Sequence, residues 1–122
     1  MGKFAVKTSA KGVSFNLLAT NGQVVATSQV YKSLRTAKIG IASVAKNAPI
    51  AEVEDQTTET IETKKMPKFE VYTDKAGKSR FRLKAKNGQI IAVSEAYESL
   101  KACLAGVASV KKNAEDAQIV DA

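Results

Sequence analysis

Phe15-Asn16-Leu17-Leu18-Ala19-Thr20-Asn21-Gly22-Gln23-Val24-Val25-Ala26 decides the fold, because the chain writes it twice. Phe81-Arg82-Leu83-Lys84-Ala85-Lys86-Asn87-Gly88-Gln89-Ile90-Ile91-Ala92 has the same grammar. Phe15, Leu17 and Ala19, and in the second copy Phe81, Leu83 and Ala85, alternate with other residues, as a half-buried strand requires. Asn-Gly between apolar flanks is a hairpin signal. Both residues of a type I′ turn need positive φ, which Asn and Gly tolerate, so that turn type is expected. Val24–Thr27 and Ile90–Val93 then read as the returning strands.

Outward from this hairpin the duplication continues. Lys3-Phe4-Ala5-Val6 reappears as Lys68-Phe69-Glu70-Val71, and Gly12 as Gly77, with one residue inserted afterwards in the second copy. Downstream, Tyr31-Lys32-Ser33-Leu34 matches Tyr97-Glu98-Ser99-Leu100, and Ala42-Ser43-Val44-Ala45-Lys46-Asn47-Ala48 matches Ala108-Ser109-Val110-Lys111-Lys112-Asn113-Ala114. Ser33 and Ser99 are natural N-caps, each opening a helix with an apolar stripe. The stripes are Leu34, Ala37, Ile41, Val44, Ala48 and Leu100, Cys103, Leu104, Val107, Val110, Ala114. Gly40 and Gly106 interrupt these helices at a cost of ~1 kcal/mol each, so their recurrence predicts a close approach of helix to sheet. Asn47 and Asn113 stand at helix ends, where Asn tolerates the left-handed conformation. Pro49 stops the first helix. Ala51-Glu52-Val53-Glu54 and Ala117-Gln118-Ile119-Val120 close each unit as a last strand.

The pattern is therefore β-β-β-α-β, twice: repeat 1 over residues 1–55, a polar linker over 56–67, and repeat 2 over 68–122. One unit alone offers a single sheet face under one helix, which is marginal. Two units sharing one antiparallel sheet, with both helices on one face, bury both stripes. The expected class is α+β, a monomer built as an internal pseudo-dimer.

Composition narrows function by exclusion. The 122 residues are 44% apolar and 25% charged, an ordinary globular balance. No apolar run is long enough to span a bilayer and the N-terminus does not read as a secretory signal, so a cytoplasmic protein without a membrane partner is expected. There is one cysteine and no histidine. That removes the commonest general base, the commonest zinc ligand and every Ser-His or Cys-His pair. The acidic Glu52, Glu54 and Asp55 do not make a calcium or di-metal pattern. No catalytic residue, metal site or cofactor is expected, and the chain reads as a non-enzymatic binding or accessory module.

These motifs together (F-x-V, G, F-x-L-x-A-x-N-G-Q, Y-x-S-L, and G-[IV]-A-S-V-x-K-N-A) resemble the YegP-like family of bacterial proteins, a tandem-repeat domain of unknown function. The resemblance covers nearly the whole chain. It implies tandem β-β-β-α-β units in one antiparallel sheet, with the last strand of each unit swapped onto the other. It brings no activity and no catalytic residues.

The copies differ on the outward side of the second strand. Repeat 2 has Arg80, Arg82, Lys84 and Lys86 where repeat 1 has Ser14, Asn16, Leu18 and Thr20. A period of two aims the basic row away from Phe81 and Leu83. With Tyr72 on the neighbouring strand, it forms a candidate platform for single-stranded nucleic acid or an anionic ligand. The competing reading is a solvated strand whose cations pair across the sheet with Glu70 or Glu95. The net charge of +7 favours polyanions but also serves solubility alone. A third reading is a protein-interaction module using sheet edges. Cys103, on a helix stripe, is expected to be a buried hydrophobe. Tyr31 and Tyr97 are expected to anchor the helix starts.

Overall fold

In a computed structural model, which describes residues 2–121, the chain forms eight strands and two helices. Repeat 1 contributes β1 (Lys3–Ser9), β2 (Gly12–Leu18), β3 (Val24–Thr27), α1 (Leu34–Asn47) and β4 (Glu52–Asp55). Repeat 2 contributes β5 (Lys68–Thr73), β6 (Ser79–Lys84), β7 (Ile90–Val93), α2 (Leu100–Ala114) and β8 (Gln118–Asp121). They make one sheet in the order β4-β5-β6-β7-β3-β2-β1-β8.

The last strand of each repeat is exchanged: β4 lies beside β5 of repeat 2, and β8 beside β1 of repeat 1. The six inner strands are antiparallel. Both exchanged strands run parallel to their neighbours, so the sheet is mixed at its edges. A parallel pair needs a connection of about a dozen residues or more, and residues 56–67 supply one between β4 and β5. At the centre the two repeats meet through a single ladder position, Thr27 opposite Val93.

Both helices cover one face. Phe4, Phe15, Phe69 and Phe81 are buried beneath them, with Leu17, Leu83, Val44 and Val110. In each repeat the aromatic rings are layered: Phe4 meets Phe15 edge-on at 5.7 Å, and Phe15 stacks on Tyr31 at 6.1 Å. Phe69, Phe81 and Tyr97 repeat this at 5.8 and 6.2 Å. The tyrosines explain the helix glycines. What approaches Gly40 and Gly106 is the phenol of Tyr31 or Tyr97, lying where a Cβ would stand, and not the sheet backbone.

Ser33 and Ser99 cap the helices as expected, each hydroxyl accepting from the amide three residues on; Thr36 completes a capping box in α1. Three local expectations are corrected. Asn21 and Asn87 do not adopt positive φ; only Gly22 and Gly88 do. The amides of Gly22 and Gly88 donate to the carbonyls of Ala19 and Ala85, while those of Ala19 and Ala85 donate to Gln23 and Gln89. This is the three-residue loop with a left-handed glycine at its end, not the two-residue type I′ turn. Asn47 and Asn113 are not left-handed either. They are buried, and each side-chain amide folds back to donate to the carbonyl and hydroxyl of Ser43 or Ser109. Leu34 and Leu104, placed on the stripes by periodicity, are 46% and 39% exposed. They sit at the margins of stripes centred on Ala37, Ile41, Val44 and Cys103, Val107, Val110.

Candidate binding surfaces

The β5–β6 register brings the sequence-selected residues together. Tyr72 stands opposite Arg80, Glu70 opposite Arg82, and Lys68 opposite Lys84. Because the strand period is two, all six share the face turned away from the helices. The parallel β4 adds Glu54 beside Glu70.

These groups are spent on one another. Arg80 Nε donates to Asp74 Oδ2 at 2.6 Å, and Arg82 Nε to Glu70 Oε1 at 2.6 Å. Lys84 Nζ reaches the same Glu70 oxygen at 3.1 Å. Lys68 Nζ lies 2.8 Å from Glu54 and 3.3 Å from Glu70, and all three side chains are almost wholly buried. The Arg82 guanidinium lies over the Tyr72 ring, 4.7 Å from its centroid, so the ring offers no open face on that side. The pairing partners are Glu70 and Asp74, joined by Glu54; Glu95 takes no part in an ion pair among the described residues.

Residues 56–67 do more than connect. Gln56 Nε2 and the Lys64 amide both donate to the Glu54 carboxylate, at 2.6 and 2.8 Å. The hydrogen bond from Lys68, aided by Gln56 and the Lys64 amide, overcomes burial and holds the Glu54 carboxyl at about 2. Burial pushes Glu70 upward, but donors from Arg82, Lys84 and Lys68 outweigh it and leave it below the usual carboxylate range. Lys68 is raised, first by its hydrogen bond to Glu54. Sequence reading missed Glu54 and Lys68. Their signal, Glu54 and Lys68-x-Glu70 at strand period, becomes legible only once β4 is known to lie beside β5.

Lys86 does not extend the row, a correction to the strand-period expectation. The β6–β7 register shifts between Leu83 and Lys84, the strand ends there, and the turn carries Lys86 to the helix side. There it shares a recess with Ser43 and Lys46 of α1.

That recess continues into a groove of about 720 Å³ between α1 and the β6–β7 hairpin. Tyr31, Gly40 and Ile91 line its inner part, and Ile39 and Ile90 stand in its walls, 62% and 43% exposed. Around it the helix layer is wholly cationic. Arg35, Lys38 and Lys46 on α1 and Lys101, Lys111 and Lys112 on α2 form no ion pairs among the described residues, and neither helix contains Asp or Glu.

Cys103 is fully buried, and burial, with Asp55 adding to it, pushes its thiol up to about 11. Among the described residues no group of three or more His, Cys, Asp or Glu is placed to hold a metal ion. Among the described residues no helix is long and apolar enough to cross a membrane.

A family model described as "Domain of unknown function (DUF1508)" matches residues 9–55 and again 74–121, one match per repeat. The chain belongs to the DUF1508 family. It is 40% identical to the UPF0339 protein YegP of Yersinia pestis, over 99% of this chain and 96% of that one. A shorter DUF1508 relative, a UPF0339 protein of Treponema denticola, is 63% identical across 44% of this chain and 93% of its own length. One repeat thus accounts for nearly all of that protein. The solution structure of Escherichia coli yegP, a protein of unknown function, superposes with a TM-score of 0.80 at 34% identity, covering 98% of this chain and 91% of that one. The DUF1508 fold is thereby established, as two tandem copies in one sheet.

Proposed function

We propose that this DUF1508 chain is a non-enzymatic cytoplasmic binding module whose working surface is the helix layer with the α1–hairpin groove. The observation that carries this reading is the division of charge. Arg80, Arg82 and Lys84 are held by Asp74 and Glu70, whereas the six helix cations have no carboxylate partner among the described residues. An unpaired cation offers its full field to a partner, while a paired one must first give up its carboxylate. The absence of histidine and the burial of Cys103 support a role without catalysis.

Binding of nucleic acid on the sheet face is the weaker reading, because Tyr72 is already covered by Arg82 and the cations there are largely neutralised. Pairing through sheet edges is weaker again, since β4 and β8 are only four residues long and short edges discourage such pairing.

Affinity capture from cell lysate tests the proposal, with mass spectrometry of retained proteins, nucleic acids and metabolites. The native chain should retain a species that an Arg35→Gln/Lys38→Gln/Lys46→Gln variant loses and an Arg80→Gln/Arg82→Gln variant, which touches no residue lining the groove, keeps. Robust turnover of a captured metabolite, abolished by one surface substitution, would overturn the non-enzymatic reading.

A further inference from the structure

We infer that the groove between α1 and the β6–β7 hairpin docks an acidic polypeptide segment bearing an apolar anchor side chain. This rests on the helix layer being the working surface and names what that surface takes.

The groove combines two chemistries. Ile39 and Ile90 face it from opposite walls, both large, aliphatic and substantially exposed, above the buried Ile91. Apolar side chains gathered in one groove mark a contact site rather than ordinary surface scatter. Lys46 and Lys86 stand at one end, and Arg35 and Lys38 flank Ile39 on the outer side of α1. No Asp or Glu lines the groove or these two adjoining recesses. Between the apolar walls and the cationic rim stand the neutral amides of Gln29, Asn87 and Gln89, which both donate and accept, as a peptide backbone requires. A volume of about 720 Å³ holds a side chain and its flanking backbone, not a broad surface.

The aromatic inventory argues against nucleic acid here. Stacking a base needs an unengaged ring. The groove's one ring, Tyr31, stacks on Phe15 at an interplanar angle of 10°, with its hydroxyl end against Gly40.

The pseudo-symmetric twin lacks half of these features. Its groove between α2 and the β2–β3 hairpin has Ala105 where α1 has Ile39, and Thr20 where the other hairpin has Lys86. Retained Ser109 and Lys112 keep it polar, but one apolar wall and one cation are gone. Docking is therefore confined to the α1 side.

The test uses the full chain, nitrogen-15 labelled, titrated with three probes: a short peptide alternating Glu and Leu, a peptide of equal length alternating Glu and Ser, and a short oligothymidylate. The Glu/Leu peptide should shift the amides of Ile39, Ser43, Asn87, Ile90 and Ile91 and leave those of Tyr72, Arg82 and Ala105 in place. Its affinity should fall roughly tenfold or more in Lys46→Glu/Lys86→Glu, and clearly in Ile39→Ser, whose exposed position leaves folding intact. Equal binding of the Glu/Ser peptide would overturn the anchor. An oligothymidylate that shifts the same amides and displaces the peptide would overturn the acidic segment while leaving the helix layer as the working surface. Shifts confined to Tyr72 and Arg82 would overturn both, and no shift with any probe would overturn the inference, leaving the capture experiment to judge the broader reading.

Discussion

Gly40 is bare where the phenol of Tyr31 lies against α1: a Cβ there would overlap the Tyr31 hydroxyl and stand 2.6 Å from ring carbon Cζ. Gly106 and Tyr97 repeat the relationship, with Cζ at 2.8 Å. Tyr31 cannot move aside freely, because it stacks on Phe15 and its backbone pairs with Val13 in both directions. Gly40→Ala should therefore destabilise by about 1–2 kcal/mol, overpacking outweighing the gain of ~1 kcal/mol in helix propensity. In a Tyr31→Ser background the same substitution should become stabilising. Urea unfolding of the four variants checks the change of sign.

Lys68 bridges two buried carboxylates, so its removal leaves charge without compensation. Lys68→Met should destabilise by about 3–5 kcal/mol. Glu70 keeps Arg82 and Lys84, so the loss falls mainly on Glu54. Adding Glu54→Leu to Lys68→Met should recover much of the stability, because an apolar pair replaces the broken ion pair. Denaturant midpoints of the single and double variants decide it.

Glu54 also sets an acid limit. Its folded-state carboxyl is held at about 2, below its ordinary value near 4.5. A depressed folded value contributes stability that is complete above the unfolded value and is lost as pH falls through the folded one. Thermal midpoints should be insensitive to this group near neutrality and should decline from about pH 4.5 toward pH 2. Glu54→Gln should flatten that part of the profile. An unchanged acid limb in the variant would remove Glu54 from the account.

Cys103 should be inert in the folded protein. With its thiol pushed up to about 11 and its side chain fully buried, little thiolate forms near neutral pH and reagents do not reach it. Modification by a disulfide reagent should track unfolding across a urea series. Fast labelling in native buffer would contradict this.

Much of the fold was legible because the sequence states it twice. Phe15 and Phe81, Ser33 and Ser99, and Gly40 and Gly106 each recur in the same setting, which separates architectural residues from chance. What stayed hidden depends on spatial neighbours or on one-residue detail. Asn-Gly fits both the two-residue and the three-residue hairpin loop, and only the position of the closing hydrogen bond separates them. The same uncertainty displaced Lys86, since a register shift at Leu83 and Lys84 ends the alternation one step before it. Arg80, Arg82 and Lys84 were found as a row, and their pairing with Glu70 was one of the two sequence readings; the share taken by Asp74 was not, because that residue lies in the turn between β5 and β6. The groove was invisible because Ile39 and Lys46 belong to repeat 1, and Lys86 and Ile90 to repeat 2.

The central claim is that the helix layer, not the basic row of β6, presents the protein's available positive charge. Elution from a heparin column tests it most directly, comparing Arg35→Gln/Lys38→Gln with Arg80→Gln/Lys84→Gln, two variants that lose the same charge and leave Arg82 on Glu70. Both should first show native far-ultraviolet circular dichroism. The account predicts that the helix variant elutes at clearly lower salt while the sheet variant stays close to the parent. A sheet variant that elutes earlier than the helix variant would contradict it.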